Sequence, residues 1–161
     1  MGHMHLVLNH FPVAGLFFCL FVIGFGFLKN SDEVKVLALW SFTAIAILTL
    51  GAYFTGESAE ELVEHMPGVA KAMIEDHEEA GTVALIFIEL IGVLSLAGLV
   101  LHRKNKILNA NLLKAICALS VIAAVLTGYT ANLGGQIRHT EIRAGYIPAP
   151  VGGNPEGAKG Q

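Results

Sequence analysis

The chain has 161 residues, of which 54% are hydrophobic and only 14% are charged, and its mean hydropathy is +0.63. A soluble domain of ordinary composition carries about 25% charged residues, so these values argue against a soluble helical core. The formal net charge is -3 and the sequence contains no run of basic residues, which argues against a nucleic-acid-binding protein.

Four apolar runs divide the chain, and each is long enough to cross a bilayer, which takes about 20 residues of helix. They predict helices at about 6–28, 36–54, 81–101 and 112–133. Four such runs leave too little polar surface for a water-soluble bundle. We therefore predict an all-α fold, an integral membrane four-helix bundle in residues 1–143, followed by a Gly/Pro-rich extended tail at 144–161.

The segment 55–80, between the second and third runs, predicts a short helical loop over the mouth of the bundle. Ser58 and Glu61 have the spacing of a capping box, which favours a helix start at Ser58. Pro67-Gly68 then breaks the segment. A second short helix is expected to begin near Val69 and to run into the third membrane helix.

Alternating helices place the short turns 29–35 and 102–111 on one side of the membrane. Both termini and the segment 55–80 then lie on the other side. Lysine and arginine are concentrated in the two short turns, and this bias predicts that the turns are cytoplasmic. The termini are therefore expected to be extracytoplasmic, on the periplasmic side of a bacterial inner membrane.

Histidine placement is the main indication of chemistry. Six of the seven histidines fall on the predicted extracytoplasmic side, and only His102 falls on the other side. The six are His3, His5, His10, His65, His77 and His139. Imidazole is the commonest metal ligand and a ready proton carrier, so this side of the membrane is predicted to hold a redox or metal site.

Four of these histidines come from different parts of the bundle. His10 lies one turn inside the first apolar run, where an unpaired polar group is costly. His5 precedes it by five residues, about 140° around a regular helix. His77 lies one turn before the third run, and His139 follows the fourth. Arg138 is placed to neutralise a haem propionate or a lipid phosphate.

Two further ionisable residues have local explanations as well as functional ones. His65 follows Glu61 by four residues, which suits a plain surface helix as well as a metal ligand. Glu89 lies within the third run, about 18 Å deeper than His77. A carboxyl there is expected to be protonated, and to serve in proton relay, quinone contact or a helix–helix hydrogen bond.

The sequence also resembles a known family. Residues 5–12 resemble the H-P-x-x-x-H-F-P opening of a family of small bacterial four-helix membrane proteins without settled function. Residues 51–57 and 128–139 resemble that family's second- and fourth-helix ends. The chain departs from the pattern at Leu6, where the family often has proline, and in a short spacing between Gly134-Gly135 and His139.

The resemblance implies a cytochrome-b-like protein, in which histidines hold haem. The positions that match the family's histidines are His5, His10, His77 and His139.

Three functions follow from these patterns. The first is a b-type haem redox subunit with one or two haems near the extracytoplasmic face. It would exchange electrons with a periplasmic carrier or quinol, or anchor a redox complex. Because His102 stands alone on the opposite side, we expect no electron path through the whole membrane.

The second function is a non-haem site for zinc, copper or iron, with ligands from His5, His10, His65, His77 and His139. The third is a structural or assembly subunit of a larger membrane complex. The expected partners are the lipid membrane and a redox partner or larger complex, without nucleic acid. No nucleophile with a base and an orienting group is evident, so the chain is not predicted to be an enzyme by itself.

Overall fold

The computed structural model describes residues 2–147, which form a helical membrane protein. The helices are α1 (Gly2–Leu8), α2 (His10–Leu28), α3 (Asp32–Phe54), α4 (Gly56–Val63), α5 (Lys71–Asn105) and α6 (Ala110–Arg138), followed by a 3-10 turn at Thr140–Ile142. Four helical spans are long and apolar enough to cross a bilayer. The first is α1 joined to α2, and the other three are α3, α5 and α6. The predicted all-α membrane bundle is confirmed.

The four long helices form a closed ring, because α2 packs on α3, α3 on α5, α5 on α6 and α6 on α2. The ring has two distinct ends. We call the end formed by α1, α4, the start of α5 and the end of α6 the histidine end. The basic end holds the α2–α3 turn at 29–31 and the α5–α6 turn at 106–109.

Side chains cap the helices at the basic end. Ser31 Oγ accepts a hydrogen bond from the Val34 amide at 3.3 Å at the start of α3. Asn109 Oδ1 accepts from the amides of Asn111 and Leu112 at 3.0 and 3.1 Å at the start of α6. These caps satisfy amides that have no partner within the helix, and they hold both turns tight.

Small residues bring the membrane helices together. A Cβ added at Gly92 in α5 would overlap the Cβ of Ala46 in α3, and one at Gly98 would lie 3.3 Å from Leu39 Cδ1. Lipid chains are as apolar as leucine, so close packing at small residues is a main source of helix association in a membrane. The α3–α5 contact depends on the absence of a side chain at Gly92.

Several helix ends differ from the predicted ones. α5 begins at Lys71 and continues without a break into the membrane, which confirms the helix expected from about Val69. The predicted helix start at Ser58 is wrong, because α4 begins at Gly56 and Thr55 makes no side-chain cap. With only Thr55 between α3 and α4, Ser58 falls inside the helix. The predicted tail lies, from 148 to 161, outside the described residues.

Arg143 closes the histidine end and was not singled out in the sequence. Its Nε donates to the Gln136 carbonyl at 2.7 Å and one Nη to the Ile137 carbonyl at 3.1 Å, both in the last turn of α6. Its other Nη donates to the Gly68 carbonyl at 2.6 Å. One guanidinium therefore caps α6 and holds the loop between α4 and α5.

We expect Arg143→Gln to loosen this loop without unfolding the bundle. Charged hydrogen bonds each contribute about 1.5–3 kcal/mol, so amide exchange at 64–70 should quicken by about tenfold or more. Hydrogen exchange read by mass spectrometry measures it. Arg103→Gln is the control, since Arg103 lies in the last turn of α5, at the basic end and away from this loop. Equal exchange in both variants would contradict the capping role.

Candidate functional site at the histidine end

His5 is held by α1 against the junction of α3 and α4. Its Nδ1 lies 2.9 Å from the Ala52 carbonyl oxygen and 3.5 Å from Thr55 Oγ1. A carbonyl oxygen can only accept, so Nδ1 carries the proton and donates it. The Nε2 lone pair of this half-buried ring is therefore left available to a ligand.

His77, near the start of α5, is held in the same manner by α6. Its Nδ1 donates to the Thr130 carbonyl oxygen at 3.0 Å. The half-buried ring lies on the backbone of Gly134, where an added Cβ would be 2.8 Å from His77 Cε1 and 3.1 Å from Nδ1. The Nε2 lone pair of His77 is consequently available too.

Both histidines lie at the histidine end of the bundle, His5 in α1 and His77 in α5. Both are fixed by main-chain carbonyls of neighbouring helices rather than by their own helix. The structure thus gives both imidazoles the same hydrogen-bonding pattern, one that orients metal-ligating histidines in proteins.

The other predicted histidines are less enclosed. His10 is exposed and its Nδ1 donates to the Leu6 carbonyl at 2.8 Å, one helical turn earlier in the chain. The His139 side chain is 62% exposed and pairs with Glu141 at 2.8 Å. His65 is 87% exposed, 3.2 Å from Glu64. Their roles as ligands stay predictions.

Two carboxyl groups at the histidine end, those of Glu60 and Glu141, have shifted pKa values. The Glu78 carboxyl of α5 raises the pKa of Glu60 in α4, through a shared hydrogen bond and through charge repulsion. The Glu141 backbone amide, followed by the His139 ring, lowers the pKa of Glu141. Within residues 2–147, no three His, Cys, Asp or Glu side chains cluster as a metal site would require.

Glu89 is separate from this cluster. It lies within the apolar part of α5 and is half-buried. Its Oε1 is inaccessible and has no hydrogen-bond partner in the described part of the chain. The proposed proton or quinone contact at Glu89 remains a prediction.

Gly134 is the residue that sequence reasoning did not assign to the site. We expect Gly134→Ala to displace the His77 ring and break its bond to Thr130, because the new methyl would lie only 2.8 Å from His77 Cε1. His77 should then react faster with diethyl pyrocarbonate, which peptide mass spectrometry measures. Gly128→Ala is the matched control on the same helix, since a Cβ there meets nothing within 4 Å. Unchanged His77 reactivity in the Gly134 variant would argue against close packing of the His77 ring on Gly134.

The family comparison can be set against this geometry. The family model described as "Predicted membrane protein (DUF2231)" matches residues 3–141. The chain belongs to this family. The DUF2231 match covers the four membrane-spanning segments and both His5 and His77. Comparisons with curated proteins and with solved structures gave no match.

DUF2231 is described as a family of predicted membrane proteins. This agrees with the sequence-based expectation of a membrane protein family. The description carries no information on haem, so the cytochrome-b-like character implied by the resemblance stays a prediction. The same holds for the membrane orientation.

Proposed function

We propose that this DUF2231 protein is a b-type haem-binding redox subunit, with His5 and His77 as its two imidazole ligands. The observation that carries the proposal is the shared hydrogen-bonding pattern of the two rings. Each Nδ1 is bound to a main-chain carbonyl of another helix, which leaves each Nε2 unprotonated.

The donor set fits haem chemistry. A bis-histidine haem takes two neutral imidazoles from different elements of a bundle, and His5 and His77 come from α1 and α5. The carbonyl partners fix the tautomer and increase the basicity of each ligand. When bound, haem iron supplies reversible one-electron exchange.

Other residues at the histidine end have supporting roles in this proposal. The Arg138 guanidinium is exposed at the end of α6 and suits a propionate, which is an anionic group that arginine binds well. His10 and His139 would serve as ligands of a second haem. The pair His5 and His77 ranks first because only these two rings are held between helices.

The side of the membrane on which the site would lie indicates which partners it would meet. Positive charge in the two short turns supports a cytoplasmic basic end, so the histidine end would face the periplasm of a bacterial inner membrane. There the subunit would exchange electrons with a periplasmic carrier or quinol, or anchor a larger redox complex.

A visible spectrum tests the proposal. The full chain, purified in detergent and titrated with haemin, should develop a Soret band and, after reduction, an α band at a ratio of one or two haems per chain. A colourless protein that retains stoichiometric zinc, copper or iron would favour the non-haem site instead. Failure to bind either haem or metal would favour a structural or assembly subunit.

A further inference from the structure

A second candidate site lies at the basic end, away from the histidine pair. A groove of about 380 Å³ runs between α3 and α5. Its lining includes Val36 and Trp40 from α3 and Leu96, Val100, His102 and Arg103 from α5. The groove is therefore apolar along its length and polar only where α5 ends.

The polar end of this groove lacks partners for its hydrogen-bonding groups. His102 Nδ1 is inaccessible and has no hydrogen-bond partner in the described residues. Arg103 is exposed, and no carboxylate within 2–147 forms an ion pair with it. The exposed Arg103 guanidinium is therefore free to bind an anionic ligand, whereas the enclosed His102 nitrogen would need a rotation of its ring to reach one.

The depth of the groove identifies the kind of ligand. His102 directly follows the apolar run 81–101, so it lies where the hydrocarbon core meets the headgroups. Trp40, whose side chain lines the same groove, is a residue type enriched at this level. A ligand here would have its polar group among the headgroups and its apolar part along the helices.

We propose that this groove binds one anionic phospholipid, with the phosphate at His102 and Arg103 and an acyl chain along Val36, Leu96 and Val100. Charge complementarity favours this occupant, because Arg103 is followed by further cations at Lys104 and Lys106. Basic sites between membrane helices select anionic headgroups. A quinone head is neutral and would leave the Arg103 charge without a partner.

Trp40 gives a direct measurement, since it is the only tryptophan in the chain. The full chain is reconstituted in phosphatidylcholine vesicles with increasing fractions of brominated-chain phosphatidylglycerol or brominated-chain phosphatidylcholine, which quench tryptophan. Phosphatidylglycerol should quench Trp40 with about fivefold higher relative affinity, the effect of about one cation near a headgroup. Equal quenching by the two lipids would overturn the proposal.

Two matched pairs of variants separate the groove from general surface attraction. Arg103→Gln should abolish most of the preference for phosphatidylglycerol, whereas Lys104→Gln, which removes the same charge outside the groove lining, should retain it. Val100→Phe should reduce quenching by both lipids, and Leu101→Phe should not, although the two native side chains are 47% and 45% exposed. Equal effects within either pair would overturn the proposal.

Competition distinguishes the occupants. Soluble glycerol phosphate should not displace the brominated lipid, because it lacks the acyl chain. Displacement by glycerol phosphate, or by a quinone at a lower mole fraction than phosphatidylglycerol, would overturn the assignment to a phospholipid. The measurement needs no haem, so its result is independent of the function proposed for the histidine end.

Discussion

Replacing His77 with alanine is expected to lower the affinity of the chain for haemin by at least about a hundredfold. Loss of a single partner that orients a ligand already costs 10–100-fold at metal sites, and loss of the ligand itself should cost more. His5→Ala should have a similar effect, because both imidazoles are needed for a bis-histidine iron. Haemin titration followed by the Soret band measures both.

His65→Ala is the matched control for these variants, since His65 is exposed and lies outside the paired rings. It should bind haemin as the native chain does. His10→Ala and His139→Ala then separate one haem from two, because a second haem would be lost while the first remains. Full haem content in both His5→Ala and His77→Ala would show that the pair is not the ligand set.

The second large effect is expected from Gly92→Leu, which should separate α3 from α5. The new side chain would collide with the Ala46 methyl, which has no torsion angle that could move it aside. Overpacking of this kind costs about 1–3 kcal/mol, which corresponds to a fall in melting temperature of about 2–12 °C for a chain of this size. Thermal unfolding in detergent measures it.

Gly24→Leu provides the control, because a Cβ at Gly24 meets nothing within 4 Å. The same substitution in α2 should leave the melting temperature near the native value or raise it slightly through helix propensity. A Gly92 variant as stable as the Gly24 variant would show that the α3–α5 interface tolerates a side chain, and that the close approach is not required.

Hydropathy alone was sufficient to predict the four membrane helices, because few folds other than a membrane bundle can accommodate four long apolar runs. It was insufficient for helix ends in polar sequence. The predicted start at Ser58 was wrong because the one-residue connection at Thr55 depends on how α3 and α4 meet. Lys71–Ala80 is polar, and the start of α5 there followed from the Pro67-Gly68 break rather than from hydropathy.

The candidate site was predictable in its residues but not in its pairing. Histidine spacing singled out His5 and His77 along with His10, His65 and His139. What distinguishes the first two is contact with the main-chain carbonyls of Ala52 and Thr130. Every residue has a carbonyl, so residue type gives no signal for such a contact.

The two paired histidines are carried by two different membrane-spanning segments. α5 has 35 residues and is therefore about 52 Å long, against a hydrocarbon core of about 30 Å. His77 thus belongs to a continuous rod that crosses the bilayer and projects from it. His5 belongs to α1, which continues into α2 as the span His3–Leu28, because Asn9 has a helical backbone and its amide donates to the His5 carbonyl at 2.9 Å.

A bilayer of different thickness tilts spanning helices, and His77 must follow the tilt of α5. His5 likewise follows the tilt of its own span, His3–Leu28. Because the two rings are carried by different spanning helices, a bilayer that tilts these helices unequally would change the distance between the imidazoles.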